Sequence, residues 1–146
     1  MHKIYKSIVL PYSSSQMFDL VADIDKYQDF MPWCGGSKIE YHNDTQTKAS
    51  IIMIIYGISN SFTTINRYNY PNKIDIELVD GPFSYLSGSW RFTEKFKDSC
   101  NVEFELEYSF SNKLLSMIIS PVFSNIANSF IYKFQERASH IYGKKI

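Results

Sequence analysis

The chain has 146 residues, 15 basic and 15 acidic side chains, and 16 % aromatic residues. This length is typical of one domain, here residues 1–146, which buries roughly 68–70 % of the surface of its unfolded chain. The balanced charge argues against direct DNA binding and against general attraction to an anionic membrane. The first residues lack the apolar run of a secretory signal, so we expect a cytoplasmic protein.

The N-terminal part predicts one strand followed by two short helices. Residues 3–10 form a strand that Pro11 ends. Ser13 and Gln16 have the spacing of a capping box, and apolar residues then recur at helical spacing up to Ile24. A second short helical turn follows over residues 25–30, because Pro32 prevents it from continuing.

Six further strands follow, at residues 37–42, 47–56, 61–70, 73–79, 89–97 and 101–110. The strand 47–56 is apolar on both faces between residues 51 and 56, whereas a half-exposed antiparallel strand alternates. Either another element covers its second face, or that face is an interaction surface.

The last two strands predict a hairpin whose inner faces coincide. A three-residue loop at 98–100 would pair Arg91 with Glu107, Lys95 with Glu103, and Trp90 with Tyr108. The inner face would carry Phe92 and Phe96 beside Trp90, and also Val102, Phe104, Leu106, Tyr108 and Phe110. The alternating glutamates of the last strand are then a solvated face of the sheet.

Residues 112–142 predict one long helical segment, with Pro121 either starting a new helix or kinking this one. Apolar residues recur every three or four positions, at Ile119, Phe123, Ile126, Phe130, Phe134, Ala138 and Ile141. A helix of this length can lie across a whole sheet. The order of elements therefore predicts an α+β fold in which an antiparallel sheet wraps around the C-terminal helix and leaves a cleft between them.

The segment 80–92 combines an Asp-Gly-Pro turn with bulky side chains and no cluster of ionisable groups. It favours a site that holds an apolar molecule over one that breaks a bond. The segment also belongs to a set of motifs that resembles the coenzyme Q-binding and RatA branch of START-like domains. The motifs are Val21-Ala22-Asp23-Ile24 through Trp33-Cys34, Asp80-Gly81-Pro82-Phe83 through Phe92, and Phe134-x-x-Arg137-Ala138 through Gly143.

The resemblance implies a helix-grip fold, in which a seven-stranded antiparallel sheet surrounds the last helix over an apolar cavity. Some proteins of this branch bind ubiquinone or its precursors and support respiration. Others are ribosome-associated toxins that bind the large subunit and block subunit joining. An older family label, polyketide cyclase or dehydrase, also implies enzymes.

The candidate ligand-binding residues are twelve apolar side chains, which either fill a core or line a cavity. We expect a cavity that carries ubiquinone or a similar isoprenoid lipid, with no other cofactor. Each buried CH₂ of such a tail contributes about 0.8 kcal/mol. The twelve are Trp33, Phe62, Phe83, Leu86, Trp90, Phe92, Phe104, Leu106, Tyr108, Phe123, Ile126 and Phe130.

Other kinds of site find less support. No Ser/His/Asp order, paired apolar carboxylates or Gly-rich phosphate loop indicates catalysis. The three histidines are scattered and predict no metal site, and the two cysteines, Cys34 and Cys100, predict packed, reduced thiols.

Two possible partners beyond the ligand remain open. Basic residues are dispersed, and only Lys95-x-Lys97 and Lys144-Lys145 approach a cluster, which weakens RNA binding but leaves a protein-mediated contact with the large ribosomal subunit. The segment Leu114–Phe123 is apolar on too many sides for a surface helix. It either contacts the inner membrane peripherally during lipid loading, packs under the sheet, or mediates self-association.

Overall fold

The computed structural model describes residues 1–144, so Lys145 of the Lys144-Lys145 pair lies outside the described residues. Seven strands and two α-helices are present, with one 3₁₀ helix at Ile24–Asp29. The bounds are β1 His2–Leu10, α1 Ser14–Ala22, β2 Cys34–His42, β3 Gln46–Ile55, β4 Ile58–Asn69, β5 Lys73–Asp80, β6 Phe83–Phe96, β7 Ser99–Phe110 and α2 Lys113–Tyr142. The predicted element order is confirmed, although β2, β4 and β6 begin three to six residues earlier than predicted.

All seven strands form one antiparallel sheet in the order β1-β7-β6-β5-β4-β3-β2. The curved sheet encloses α2 on one face, while α1 and the 3₁₀ helix close one end. The predicted α+β helix-grip architecture is therefore confirmed. Between sheet and helix lies a continuous apolar core in which Met17, Ile74, Cys100 and Tyr108 have no exposed surface.

Helix α1 begins at the predicted capping box. The Ser13 hydroxyl accepts from the backbone N–H of Gln16, and the Gln16 side chain accepts from the backbone N–H of Ser13. These two bonds satisfy N–H groups that the first turn of a helix leaves without intrahelical partners. The helix buries Met17, Phe18 and Val21 on one face against the core.

The register of the β6–β7 hairpin differs from the prediction by four residues. Trp90 pairs with Phe104, and Arg91 with Glu103. A two-residue turn connects the strands, because Asp98 adopts a positive φ of 56°. The prediction of a three-residue loop was therefore wrong.

The inward and outward faces of the hairpin nevertheless survive this change. A register shift between Glu94 and Phe96 compensates for the shorter turn, so the same side chains of Trp90 and Phe92 still point inward. Phe96 lies beyond the shift and is 76 % exposed, so its predicted inward position was wrong.

Helix α2 is continuous from Lys113 to Tyr142, and the Asn112 side chain accepts from two N–H groups of its first turn. Pro121 lies inside the helix, so it does not start a second one. The buried stripe is centred differently from the prediction, because Ala127 and Ile131 are buried whereas Ile141 is 48 % exposed.

Candidate ligand cavity between sheet and helix

A small cavity of about 80 Å³ lies between the inner face of the sheet and α2. Nine of the twelve candidate residues line it, and they come from three strands (β4, β6 and β7), α2 and the segment before β2. The nine are Trp33, Phe62, Leu86, Trp90, Phe104, Leu106, Phe123, Ile126 and Phe130.

The other three candidates, Phe83, Phe92 and Tyr108, fill the core elsewhere. The Tyr108 ring lies 4.6 Å from Phe123, and Phe83 lies 5.3 Å from the same ring, both measured between centroids. Phe92 packs against Phe18 of α1. These three rings pack against other rings and do not border the cavity.

The sequence analysis missed ten lining residues. They are Val21, Ile24, Tyr27, Met31, Ile51, Met53, Thr64, Asn66, Ile76 and Phe134. The two polar ones follow Phe62 at two-residue spacing on β4, so strand alternation alone places them on the same face. The helical residues Val21, Ile24 and Phe134 follow the predicted apolar spacing, but which of them border the cavity depends on how the helices pack on the sheet.

Hydrogen-bonding groups in the cavity are few. The Thr64 hydroxyl donates to the side-chain oxygen of Asn66, at 3.1 Å, and both residues are buried. The Tyr27 hydroxyl donates to the backbone carbonyl of Val21, and burial raises the pKa of this tyrosine. Within residues 1–144 the Trp33 indole N–H has no hydrogen-bond partner, although the side chain is buried.

This composition suits binding better than proton transfer. Among the described residues, those that line the cavity include no histidine, carboxylate, lysine or cysteine. The one titratable lining group is Tyr27, which stays protonated because burial disfavours its anion. The unpaired indole N–H of Trp33 is available to donate to a carbonyl or hydroxyl oxygen of a bound molecule.

The size of the cavity restricts what it can hold. A cavity of about 150 Å³ in a protein core accommodates one benzene molecule. Ordinary ligand sites occupy about 300–1,000 Å³. At about 80 Å³, the interior in this conformation accepts a few water molecules, and a prenyl quinone requires it to widen.

Apolar side chains also lie on the outside of the molecule, in two places. On β3, Ile52 and Ile54 are about two-fifths exposed, at 39 % and 42 %. In the first turns of α2, Leu114 and Met117 are largely exposed, whereas Ile119 and Phe123 are buried under the sheet. Part of the Leu114–Phe123 segment therefore belongs to the core, and part faces outward.

Helix α2 is also long and apolar enough, by length and composition, to cross a membrane. Core helices of globular domains share this property. Here the helix buries a stripe that includes Ile131 and Phe134 inside the sheet.

With the fold and cavity established, comparison with known proteins identifies the family. Residues 10–135 match the family described as polyketide cyclase / dehydrase and lipid transport. The chain belongs to this family. The START-like resemblance that the sequence motifs indicated is confirmed.

Two curated relatives carry different names. The chain is 37 % identical over 145 residues to the protein named ribosome association toxin RatA of Escherichia coli K12, covering 99 % of this chain and 92 % of the relative. It is 27 % identical over 144 residues to coenzyme Q-binding protein COQ10 homolog B, mitochondrial, of Xenopus laevis, covering 96 % of this chain and 59 % of the relative.

Among solved structures, an aromatase/cyclase from a Streptomyces species superposes with a TM-score of 0.81. It covers 99 % of both chains, but the identity is 12 %. Such a likeness establishes the fold and carries no information about catalysis.

Proposed function

We propose that this protein binds the large ribosomal subunit in the bacterial cytoplasm and hinders its joining to the small subunit. The observation that carries the proposal is the 37 % identity to the RatA protein, which extends over almost the whole chain. This order of preference reverses the one drawn from the sequence, which placed a lipid carrier first.

The interior supports this preference. A lipid carrier needs space for its cargo, and the cavity is about 80 Å³. A protein that acts through its surface needs only a stable scaffold, and large aromatic residues such as Tyr108 and Phe104 are buried and closely packed here.

The test is subunit joining with purified components. Large and small bacterial subunits are mixed under conditions that favour joining, with increasing amounts of the protein, and separated on a sucrose gradient. We expect the protein to sediment with large subunits and the joined particles to decrease. The control contains the protein with small subunits alone, and there the protein should remain at the top of the gradient. Unchanged joining, with no protein in the large-subunit fraction, would contradict the proposal.

A second function, binding of ubiquinone or a related isoprenoid lipid, is favoured by one observation. The Trp33 indole N–H is buried without a partner and the Trp33 side chain lines the apolar cavity, and leaving such a donor unpaired costs free energy. A quinone carbonyl would satisfy it. The COQ10 homologue among the relatives is consistent with this ligand class.

Two measurements test the lipid proposal. Purified protein from a quinone-rich host is extracted with solvent, and the extract is analysed by mass spectrometry. In addition, Trp33→Phe should weaken binding of a short-tailed quinone by roughly threefold to tenfold, the value of one hydrogen bond. The same substitution should leave binding of the matching prenyl hydrocarbon, which has no acceptor oxygen, nearly unchanged, because an aromatic ring remains. An extract free of prenyl lipids and equal effects on both probes would contradict this proposal.

A further inference from the structure

A second, larger cavity opens on the surface at the end of the sheet that α1 and the 3₁₀ helix close. Its volume is about 780 Å³, within the range of ordinary ligand sites. One wall comes from α1 and the 3₁₀ helix, and the other from the β2–β3 turn and the end of β4. We call it the aspartate groove. It shares only Ile24 with the interior cavity.

One wall of the aspartate groove is aromatic and held in position. The Phe18 ring contacts Tyr70 edge-on at 4.8 Å and Tyr68 at 5.5 Å, measured between centroids. The Tyr68 hydroxyl is hydrogen-bonded to Thr47, which is in turn bonded to the His42 ring. Tyr70 is 57 % exposed, so the wall presents an accessible ring on a fixed base.

The rim of the groove is acidic. Asp19, Asp23 and Asp25 project from the helical side, and Asp44 from the β2–β3 turn, while in the part of the chain that the structure describes no lysine or arginine lines the cavity. Within residues 1–144 none of these four carboxylates forms an ion pair. Desolvation by neighbouring groups raises the pKa of Asp19, as expected for a carboxylate without a nearby cation.

The arrangement of these charges limits the partner. No three of the acidic, histidine and cysteine residues among residues 1–144 converge closely enough to hold a metal ion. The negative charge is therefore distributed along the groove, which suits several cations on one extended chain. Nucleic acid would be repelled. Guanidinium groups both pair with carboxylates and stack on aromatic rings.

We propose that the aspartate groove binds an arginine- and lysine-rich segment of a partner protein. Cations of the segment would lie against the four carboxylates, and an arginine would stack on Tyr70. The proposal does not depend on ribosome association, since any protein with such a segment satisfies it. It goes beyond the proposed function by giving the chain a protein-binding site of defined chemistry.

The test uses the folded protein and defined probes. A fluorescein-labelled peptide of alternating arginine and glycine is titrated by anisotropy at near-physiological salt. A peptide with glutamate in place of arginine, a single-stranded RNA and spermidine serve as comparisons. We expect binding of the arginine peptide alone, with shifts in the NMR signals of Tyr68 and Tyr70.

Two sets of three substitutions locate the binding. The first variant combines Asp19→Asn, Asp23→Asn and Asp44→Asn. We expect its affinity for the arginine peptide to fall roughly tenfold, because each substitution removes one exposed charge pair. The matched control removes three carboxylates from the outer face of β7, by Glu103→Gln, Glu105→Gln and Glu107→Gln, and should change the affinity less than about twofold.

The groove carboxylates are all exposed, and asparagine has the same shape, so both variants are expected to fold. Equal losses in the two variants would overturn the proposal, because they would show attraction to acidic surface in general. Binding of RNA or spermidine as tight as that of the peptide would overturn it as well.

Discussion

The two halves of the sheet differ in how strictly they separate polar from apolar side chains. On β7 the inner residues Val102 and Phe104 are at most 1 % exposed, and the outer residues are glutamates. Glu107 pairs with Lys3, and Glu103 accepts a hydrogen bond from Tyr5. This half follows the ordinary rule of a sheet with one dry and one wet face.

On β3 and β4 the pattern is partly inverted. Thr64 and Asn66 point into the interior, where they are buried and bonded to each other. Ile52 and Ile54 point outward and remain two-fifths exposed. Exposed isoleucines add little to folding, so this half has side chains that stability does not require.

The comparison suggests that one half of the sheet stabilises the fold and the other half carries the candidate binding surfaces. The β1-β7-β6 half supplies a closely packed scaffold. The β2-β3-β4 half carries the polar part of the cavity, one wall of the aspartate groove and the apolar outer face. Substitutions that affect one half and spare the other can therefore break or sharpen the comparison.

The largest effect is expected for Trp90→Ala in the scaffold half. The Trp90 ring is 3 % exposed, stacks on Phe104 at 4.4 Å between centroids and contacts Phe134 edge-on at 5.2 Å. Because the small cavity leaves little room for relaxation, we expect a loss of about 3–5 kcal/mol in the free energy of unfolding, measured with urea. Trp90→Phe, which keeps a ring, is the control. A loss below about 1 kcal/mol would show that the space beside Trp90 is much larger than the cavity of about 80 Å³.

The inward and outward faces of the scaffold half could be predicted from the sequence, because apolar and polar residues alternate strictly there. Strict alternation over β7 assigns both faces of the strand, and a change of register by an even number of residues leaves them unaltered. This is why the inner face of Val102 and Phe104 was right although the hairpin partners were wrong by four residues. The hairpin partners depend on the length of the turn, which is set by the positive φ of Asp98 and which strand alternation does not predict.

The candidate site was less predictable for a different reason. Strand alternation from Phe62 reaches Thr64 and Asn66, but polar residues do not suggest an apolar cavity. The aspartate groove joins residues far apart in sequence, such as Asp23 and Tyr70, so no local motif indicates it. The volume of the interior depends on how rings interlock, which composition does not determine.

The next largest contrast is between neighbours on β3. Ile51 is 7 % exposed on the inner face, and Ile52 is 39 % exposed on the outer face. Ile51→Thr should lower the free energy of unfolding by about 2 kcal/mol, because it buries a hydroxyl and leaves space. Ile52→Thr keeps the β-branched shape and should cost about 0.5 kcal/mol or less. Equal losses in urea unfolding would mean that the outer face is covered in solution.

Two glycines provide a matched test of how rigid each half is. A Cβ at Gly88 of β6 would lie 2.8 Å from the backbone carbonyl oxygen of Glu105, which cannot move without disturbing the ladder. A Cβ at Gly35 of β2 would meet the mobile end of the Ile54 side chain at 2.5 Å.

We therefore expect Gly88→Ala to cost about 1–3 kcal/mol and Gly35→Ala less than about 1 kcal/mol, both measured by urea unfolding. The difference arises because a flexible side chain on an exposed face relaxes more cheaply than a buried backbone. A larger cost at Gly35 than at Gly88 would contradict the assignment of the scaffold to the β6–β7 half.

The smallest effect concerns the two free thiols, one in each half. Burial raises the pKa of Cys100 to about 11 and also raises the pKa of Cys34. Near neutral pH both are protonated in the folded protein and react slowly with a disulfide reagent. Cys100 has no exposed surface and lies on β7, between β1 and β6, so it should react only through global unfolding.

Cys34 begins the edge strand β2 and is 8 % exposed, so local fraying should expose it first. Single variants Cys34→Ser and Cys100→Ser assign the two labelling rates, and denatured protein gives the reference for free thiols. We expect the Cys34→Ser protein to label more slowly than Cys100→Ser, since it retains only the scaffold thiol. The reverse order would mean that β7 opens more readily than β2, which is incompatible with a scaffold built on the β1-β7-β6 half.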